Sequence, residues 1–241
     1  MEKLPRKISP CPIVEAVVEL RFDSNIPSDA IFGIIYNEIR TEFPKVEKLP
    51  ILQVPEAIRS KDPNLIYQAH YALRQDKFIF KIGPKVLTFS NINKYMGWEI
   101  LFPKVVAIIR KINETKVIEN AERIGIRYVN LFKSSILEKI HLDIKLIGED
   151  VVEGTTNLRT ELTDGDYLKI INIGNNIKVT SKDYNGSGSL IDIDCIYEFS
   201  QSESDYFNEY EKVINEGHEI EKRTFFSLLK DDFLAEFNPE Y

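Results

Sequence analysis

Residues 121–131 read AERIGIRYVNL. Ile124, Ile126 and Tyr128 alternate with Arg123, Gly125 and Arg127. A period of two is the mark of a β-strand with one apolar and one polar face. The polar face here carries two arginines with a glycine between them. A second stretch, PIVEAVVELRFD (12–23), has the same period. Ala16, Val18, Leu20 and Phe22 share its apolar face, and Glu15, Glu19 and Arg21 share the other. When the two strands are aligned by their apolar faces, Glu15 falls on Arg123 and Glu19 on Arg127. Antiparallel pairing swaps the partners, and every pair still has opposite sign. Such cross-strand pairs contribute about 0.2–1 kcal/mol each and help to fix register. Gly125 lets a neighbour approach closely. The rival reading makes Arg123 and Arg127 a fork for a phosphate or carboxylate, with Glu15 and Glu19 beside it.

Outward from these strands the pattern is mixed. PSDAIFGIIYNEIRTEFP reads as an amphipathic helix with Ile31, Ile34, Ile35 and Ile39 as its stripe. IYQAHYALR, KFIFKI and VLTFSN read as an antiparallel meander, turning at Gln75-Asp76 and at Gly83-Pro84. A helix follows, with Trp98, Leu101, Val105, Ile109 and Ile112 at helical spacing and Pro103 inside the pattern. After AERIGIRYVNL the order begins again. A short helix (SSILEK) and a strand (HLDIKLIG) precede NLRTELT, an Asp-Gly turn and DYLKIINI. A Gly-Asn-Asn turn, NIKVTSK, a flexible loop DYNGSGS and the strand LIDIDCIYEFS complete the meander. The C-terminal helical sequence, from about Ser204 to Phe237, is expected to break at Gly217. The expected fold is α+β: a tandem pseudo-repeat of strand, helix, antiparallel meander and helix. The repeats would be residues 1–120 and 121–241, forming one large, mostly antiparallel sheet with helices packed on one face. Without a linker between the halves, one continuous unit is expected.

The chain has 241 residues, of which 43% are hydrophobic and 29% charged, with a formal net charge of -7. This is a globular composition, and its acidity disfavours nucleic-acid and anionic-membrane binding. The N-terminus lacks the apolar run of a secretory signal, no stretch has the length of a membrane span, and a cytoplasmic location is expected. Cys11 and Cys195 form no metal-binding pattern, so neither a metal nor a cofactor is expected. Asp192, Asp194 and Glu198 share one strand face, read as the solvated side of a sheet. Tyr95 and Trp98 either cap the core or line a pocket. His218, placed at the expected helix break, reads as a complement to a helix C-terminus, the alternative being a general base, for which no nucleophile lies nearby in sequence. No nucleophile motif or phosphate loop stands out, so catalysis has no positive sign.

Four stretches in order (PIVEAVVELRF, IGPKVLTFSNINKYMGWEIL, ERIGIRYVN and GHEIEKRTFFSLL) resemble a sporadically distributed prokaryotic family of similar length and no assigned activity. The resemblance runs from Pro12 to Phe226. It implies that Glu15, Glu19, Gly83, Pro84, Tyr95, Trp98, Arg123, Gly125, Arg127 and His218 are recurring motif positions. The patchy distribution suggests an accessory gene, such as one in a defence or toxin–antitoxin locus. The functional expectation is a non-enzymatic binding protein acting through a protein partner, which could include a second copy of itself. The alternative is a sensor or enzyme for a small anionic ligand, a nucleotide or phosphorylated metabolite, held by Arg123 and Arg127.

Overall fold

The two alternating stretches are strands, and they are neighbours. In the computed structural model, which describes residues 3–151, 154–180, 185–199 and 203–241, β1 spans Ile13–Asp23 and β6 spans Asn120–Phe132. Between them lie α1 (Ser28–Ile39), β2 (Lys45–Lys48), α2 (Glu56–Arg59), β3 (Tyr71–Gln75), β4 (Phe78–Ile82), β5 (Val86–Ile92) and α3 (Trp98–Glu114). After β6 come β7 (Lys145–Leu146), β8 (Glu149–Asp150), β9 (Thr156–Asp164), β10 (Tyr167–Thr180), β11 (Asn185–Glu198), α4 (Glu203–Leu228) and α5 (Asp231–Ala235). The fold is α+β. Its nine-stranded antiparallel sheet has the order β2-β3-β4-β5-β1-β6-β11-β10-β9, and β7 and β8 form a separate hairpin.

The chain forms two compact units. One comprises Glu15–Ile126 and Ile196–Gly217; the other comprises Met1–Val14, Arg127–Cys195 and His218–Tyr241. In the first, Ala16, Val18, Leu20 and Phe22 of β1 are buried, as their alternation requires. So are Ile31, Ile35 and Ile39 of α1, and Leu101, Val105, Ile109 and Ile112 of α3. In the second, Tyr128, Ile171, Ile173, Ile191, Ile193 and Cys195 are buried with Phe225 of α4.

Several local expectations fail, each for a readable reason. Ile66–His70 is not strand; backbone bonds from Leu65 and Ile66 to the Asp62 carbonyl wind it into turns. β2 escaped notice because all four of its residues are exposed and carry no apolar alternation. Gly174-Asn175-Asn176 is not a turn. β10 runs through it, with Gly174 opposite Asn157, and absorbs a φ of 51° at Asn176. A Cβ at Gly174 would meet Ile177 Cδ1 at 2.9 Å, so the spacing that reads as a turn instead serves packing. The GSGS stretch lies in β11 rather than in a loop; Asp183 and Tyr184, the start of the expected loop, lie outside the described residues. SSILEK gives only a 3-10 turn at Leu137–Lys139, and HLDIKLIG gives the short β7 and its turn. That turn places Ile147 at φ 55° and Gly148 at φ 82°. Helix α4 does not break at Gly217. A mid-helix glycine costs about 1 kcal/mol, which burial of Val213, Ile214, Ile220 and Phe225 along the same helix outweighs. Pro103 is accommodated inside α3, where its missing N–H forfeits one helical hydrogen bond.

The Asp-Gly hairpin is as expected: Tyr167 pairs with Asp164 across a turn with Gly165 at φ 59°.

Candidate functional site

In the unit containing Glu15–Ile126 and Ile196–Gly217, one end of the sheet opens into a cleft of about 600 Å³. Arg21 and Asp23 come from the end of β1, Asn120 to Arg123 from the start of β6, and Glu198 and Phe199 from the end of β11. Tyr67 reaches the cleft from the turns before β3. Antiparallel pairing brings these ends together: the Glu119 N–H donates to the Asp23 carbonyl at 2.9 Å, and the Phe199 N–H donates to the Glu122 carbonyl at 2.9 Å.

The expected ladder is present at Glu19 and Arg123. Arg123 Nη2 donates to Glu19 Oε1 at 2.9 Å, and Arg21 Nε donates to the same oxygen at 2.9 Å. All three side chains are largely buried, at 21–27% exposure. The Arg21 guanidinium also lies 4.3 Å from the centre of the Tyr67 ring, a cation–π contact. The Tyr67 hydroxyl donates to Glu122 Oε2 at 2.5 Å. Burial and the Glu122 carboxylate push the Tyr67 hydroxyl up to about 12, so it remains a donor at neutral pH. Asp23 is paired with Lys85.

Gly83 helps to place Tyr67. A Cβ on Gly83 would lie 2.6 Å from the Gln68 carbonyl oxygen and 2.8 Å from Val86 Cγ1. Only glycine lets the segment carrying Tyr67 approach the β4–β5 turn this closely. The His70 N–H then donates to the Ile82 carbonyl at 2.8 Å.

One donor in this network is unanswered. Arg123 Nε is buried and has no hydrogen-bond partner among the described residues. An unmet buried donor costs about 1–3 kcal/mol, more when it belongs to a charged group. It calls for an oxygen acceptor. The lining holds two arginines against three carboxylates, Asp23, Glu122 and Glu198, so a densely charged polyanion suits it poorly. A single carboxylate or carbonyl among neutral polar groups suits it well.

The other expected site residues lie elsewhere. Glu15 is half-buried on β1 opposite Ile92. Arg127, in the second unit, is gripped by a carboxylate that its sequence neighbourhood did not suggest: Nε and Nη2 donate to Asp192 Oδ1 and Oδ2 at 2.7 and 2.8 Å. Asn172 Nδ2 adds a bond to Oδ2 at 3.3 Å. Asp192 is buried rather than solvated, with its side chain 6% exposed, whereas that of Arg127 is 46% exposed. Tyr95 is half-buried in the link before α3. Trp98 opens α3, donates from Nε1 to Asn215 Oδ1 at 3.0 Å and stacks on Phe102. Neither lines the cleft.

His218 lies within α4, buried, with Nδ1 2.9 Å from the Tyr128 hydroxyl. Burial, reinforced by Lys222, pushes its imidazole down to about 3, so it is neutral. Cys195 is fully buried, and burial raises its thiol far from reactivity. Burial likewise raises the Glu221 carboxyl well above the usual range, so it holds its proton.

Comparison of the chain with protein-family models finds no match, and comparison with curated proteins finds no similar one. No helix among the described residues is long and apolar enough to cross a membrane.

Proposed function

We propose that this is a non-enzymatic binding protein that takes a polar segment of a partner protein in the cleft lined by Arg21, Tyr67, Glu122, Arg123 and Glu198. The observation that carries this reading is the cleft itself, where Glu19 holds Arg21 and Arg123, and Glu122 holds the Tyr67 hydroxyl, beside the exposed Glu198. A carboxylate or backbone carbonyl of the partner accepts from the guanidinium groups of Arg21 and Arg123, while the exposed Glu198 receives a donor from the same segment.

A second reading, a small ligand with one anionic group, is favoured by the size of the cleft, which is that of a small-molecule pocket. It shifts the expected fork from Arg123 and Arg127 to Arg21 and Arg123. Affinity capture from the native host with wild type and with R123K separates the readings. R123K keeps the charge near Glu19 but loses the planar guanidinium. A partner captured by wild type and lost with R123K supports the proposal; a partner captured equally by both removes the cleft from it. A melting-temperature rise with nucleotides or phosphorylated metabolites, absent in R123K, establishes the second reading instead.

A further inference from the structure

The two edges of the sheet are built differently. β2 has four residues, Lys-Val-Glu-Lys, and is flanked by Pro44 and Pro50. Short length, lysines and nearby prolines are the usual means of keeping an edge from pairing. β9 at the other edge has nine residues, TNLRTELTD, with no proline and no lysine. Its inner side is bonded to β10 in unbroken register from Thr156 to Asp164. Its outer side pairs with no described strand. It presents about 30 Å of free backbone donors and acceptors.

The sequence of that edge complements itself. If a second β9 lies antiparallel to it with the two-fold axis at Thr160, Leu158 faces Leu162, Arg159 faces Glu161, and Asn157 faces Thr163. Each pair occurs twice, once in each direction, as a two-fold interface requires. Partners share a face of the sheet, because their positions have the same parity. The neighbouring registers fail: moving the axis one residue sets Arg159 against Arg159, or Glu161 against Glu161. Within one chain Arg159 Nη2 already lies 2.5 Å from Glu161 Oε1, with both side chains about half exposed. The charges are therefore placed on one face before any partner arrives. Leu162 is 49% exposed and Leu158 half-buried, so two-fold pairing covers a leucine cluster left open in the single chain.

We infer that β9 is a self-association edge, pairing antiparallel with β9 of a second copy of this chain about an axis at Thr160. The inference is independent of the cleft reading: Arg159 and Glu161 lie outside the cleft lining, and their substitution leaves cleft binding unchanged. Charge reversal tests it. In R159E both facing positions are acidic, and in E161R both are basic, so each variant repels itself while the two variants complement each other. Sedimentation velocity and light scattering on the full chain should show a concentration-dependent dimer for wild type. R159E and E161R alone should each dimerise at least about tenfold more weakly. An equimolar mixture should recover a heterodimer. Unchanged far-ultraviolet dichroism and melting of both variants confirms that only the edge has changed, as expected for exposed positions. A strictly monomeric wild type overturns the inference. So do variants that dimerise as well as wild type, and a mixture that fails to associate.

Discussion

Arg123 and Arg127 lie on the same face of β6 and meet different ends. Arg127, with Asp192 and Asn172, forms a closed cluster: two short bonds into a buried carboxylate, and an amide on one of its oxygens. In the same unit His218 meets the Tyr128 hydroxyl. Arg123 is more deeply buried than Arg127, yet it lines an open cleft and keeps one donor unmet. A closed polar cluster expresses itself as stability, because removing one member strands the others. An incomplete one holds part of its interaction energy in reserve for something that arrives. The difference therefore separates residues whose loss unfolds the protein from residues whose loss leaves it folded but without a partner.

That distinction can be broken by experiment. The largest effect is expected for Arg127→Ala, which leaves Asp192 buried without its cation. About 3 kcal/mol should be lost in chemical denaturation, at the low end for a buried pair because water can reach the space vacated by the half-exposed arginine. R127A/D192N should regain most of the loss.

Next comes pH. His218 is titrated more easily in the unfolded chain, so its burial costs stability as pH falls from 6.5 towards about 3. Glu221 holds its proton in the fold and loses it when unfolded, so its burial costs stability as pH rises above 4.5. The His218 contribution rises with pH below 6.5 by up to about 1.4 kcal/mol per unit, and the Glu221 contribution opposes it above 4.5. In the wild type the two contributions therefore oppose each other just above pH 4.5. Glu221→Gln should uncover the His218 slope, with stability falling as the solution is acidified. A flat E221Q profile would show that His218 is not buried neutral.

Gly83→Ala should cost about 2 kcal/mol, since the Gln68 carbonyl must move, and should perturb the near-ultraviolet dichroism of Tyr67. Glu19→Gln should cost about 1 kcal/mol in thermal denaturation, because its partners Arg21 and Arg123 are a quarter exposed and partly solvated. Glu198→Gln is expected to stay within about 0.5 kcal/mol of wild type, as surface substitutions do, while weakening partner capture.

The parts of this architecture that were legible are those where period alone decides. β1 and β6 declare themselves by alternation, and their opposite charges anticipated the Glu19–Arg123 bond across 104 residues. The β9–β10 hairpin announces itself through Asp-Gly. Glycine proved ambiguous elsewhere. At 174 and 217 it reads as punctuation, but at 174 it makes room for Ile177, and at 217 the apolar stripe on either side carries the helix through. The cleft was legible only at Arg123. Tyr67, Glu122 and Glu198 come together because strand ends meet in space, and no local pattern records that meeting. Asp192 was misread for a related reason: alternation shows which side of a strand is polar, but not whether an arginine from the next strand covers it.

Sheet order also sets a timetable. β9 and β10 close across a tight turn, a matter of microseconds for a hairpin, whereas Glu19 and Arg123 must find one another across 104 residues. Contacts that distant slow a fold by orders of magnitude. A chain refolding from denaturant therefore completes its open edge long before β1 has a neighbour on each side. Refolding yield should fall with protein concentration through encounters at that edge, and R159E should refold more completely than wild type at high concentration.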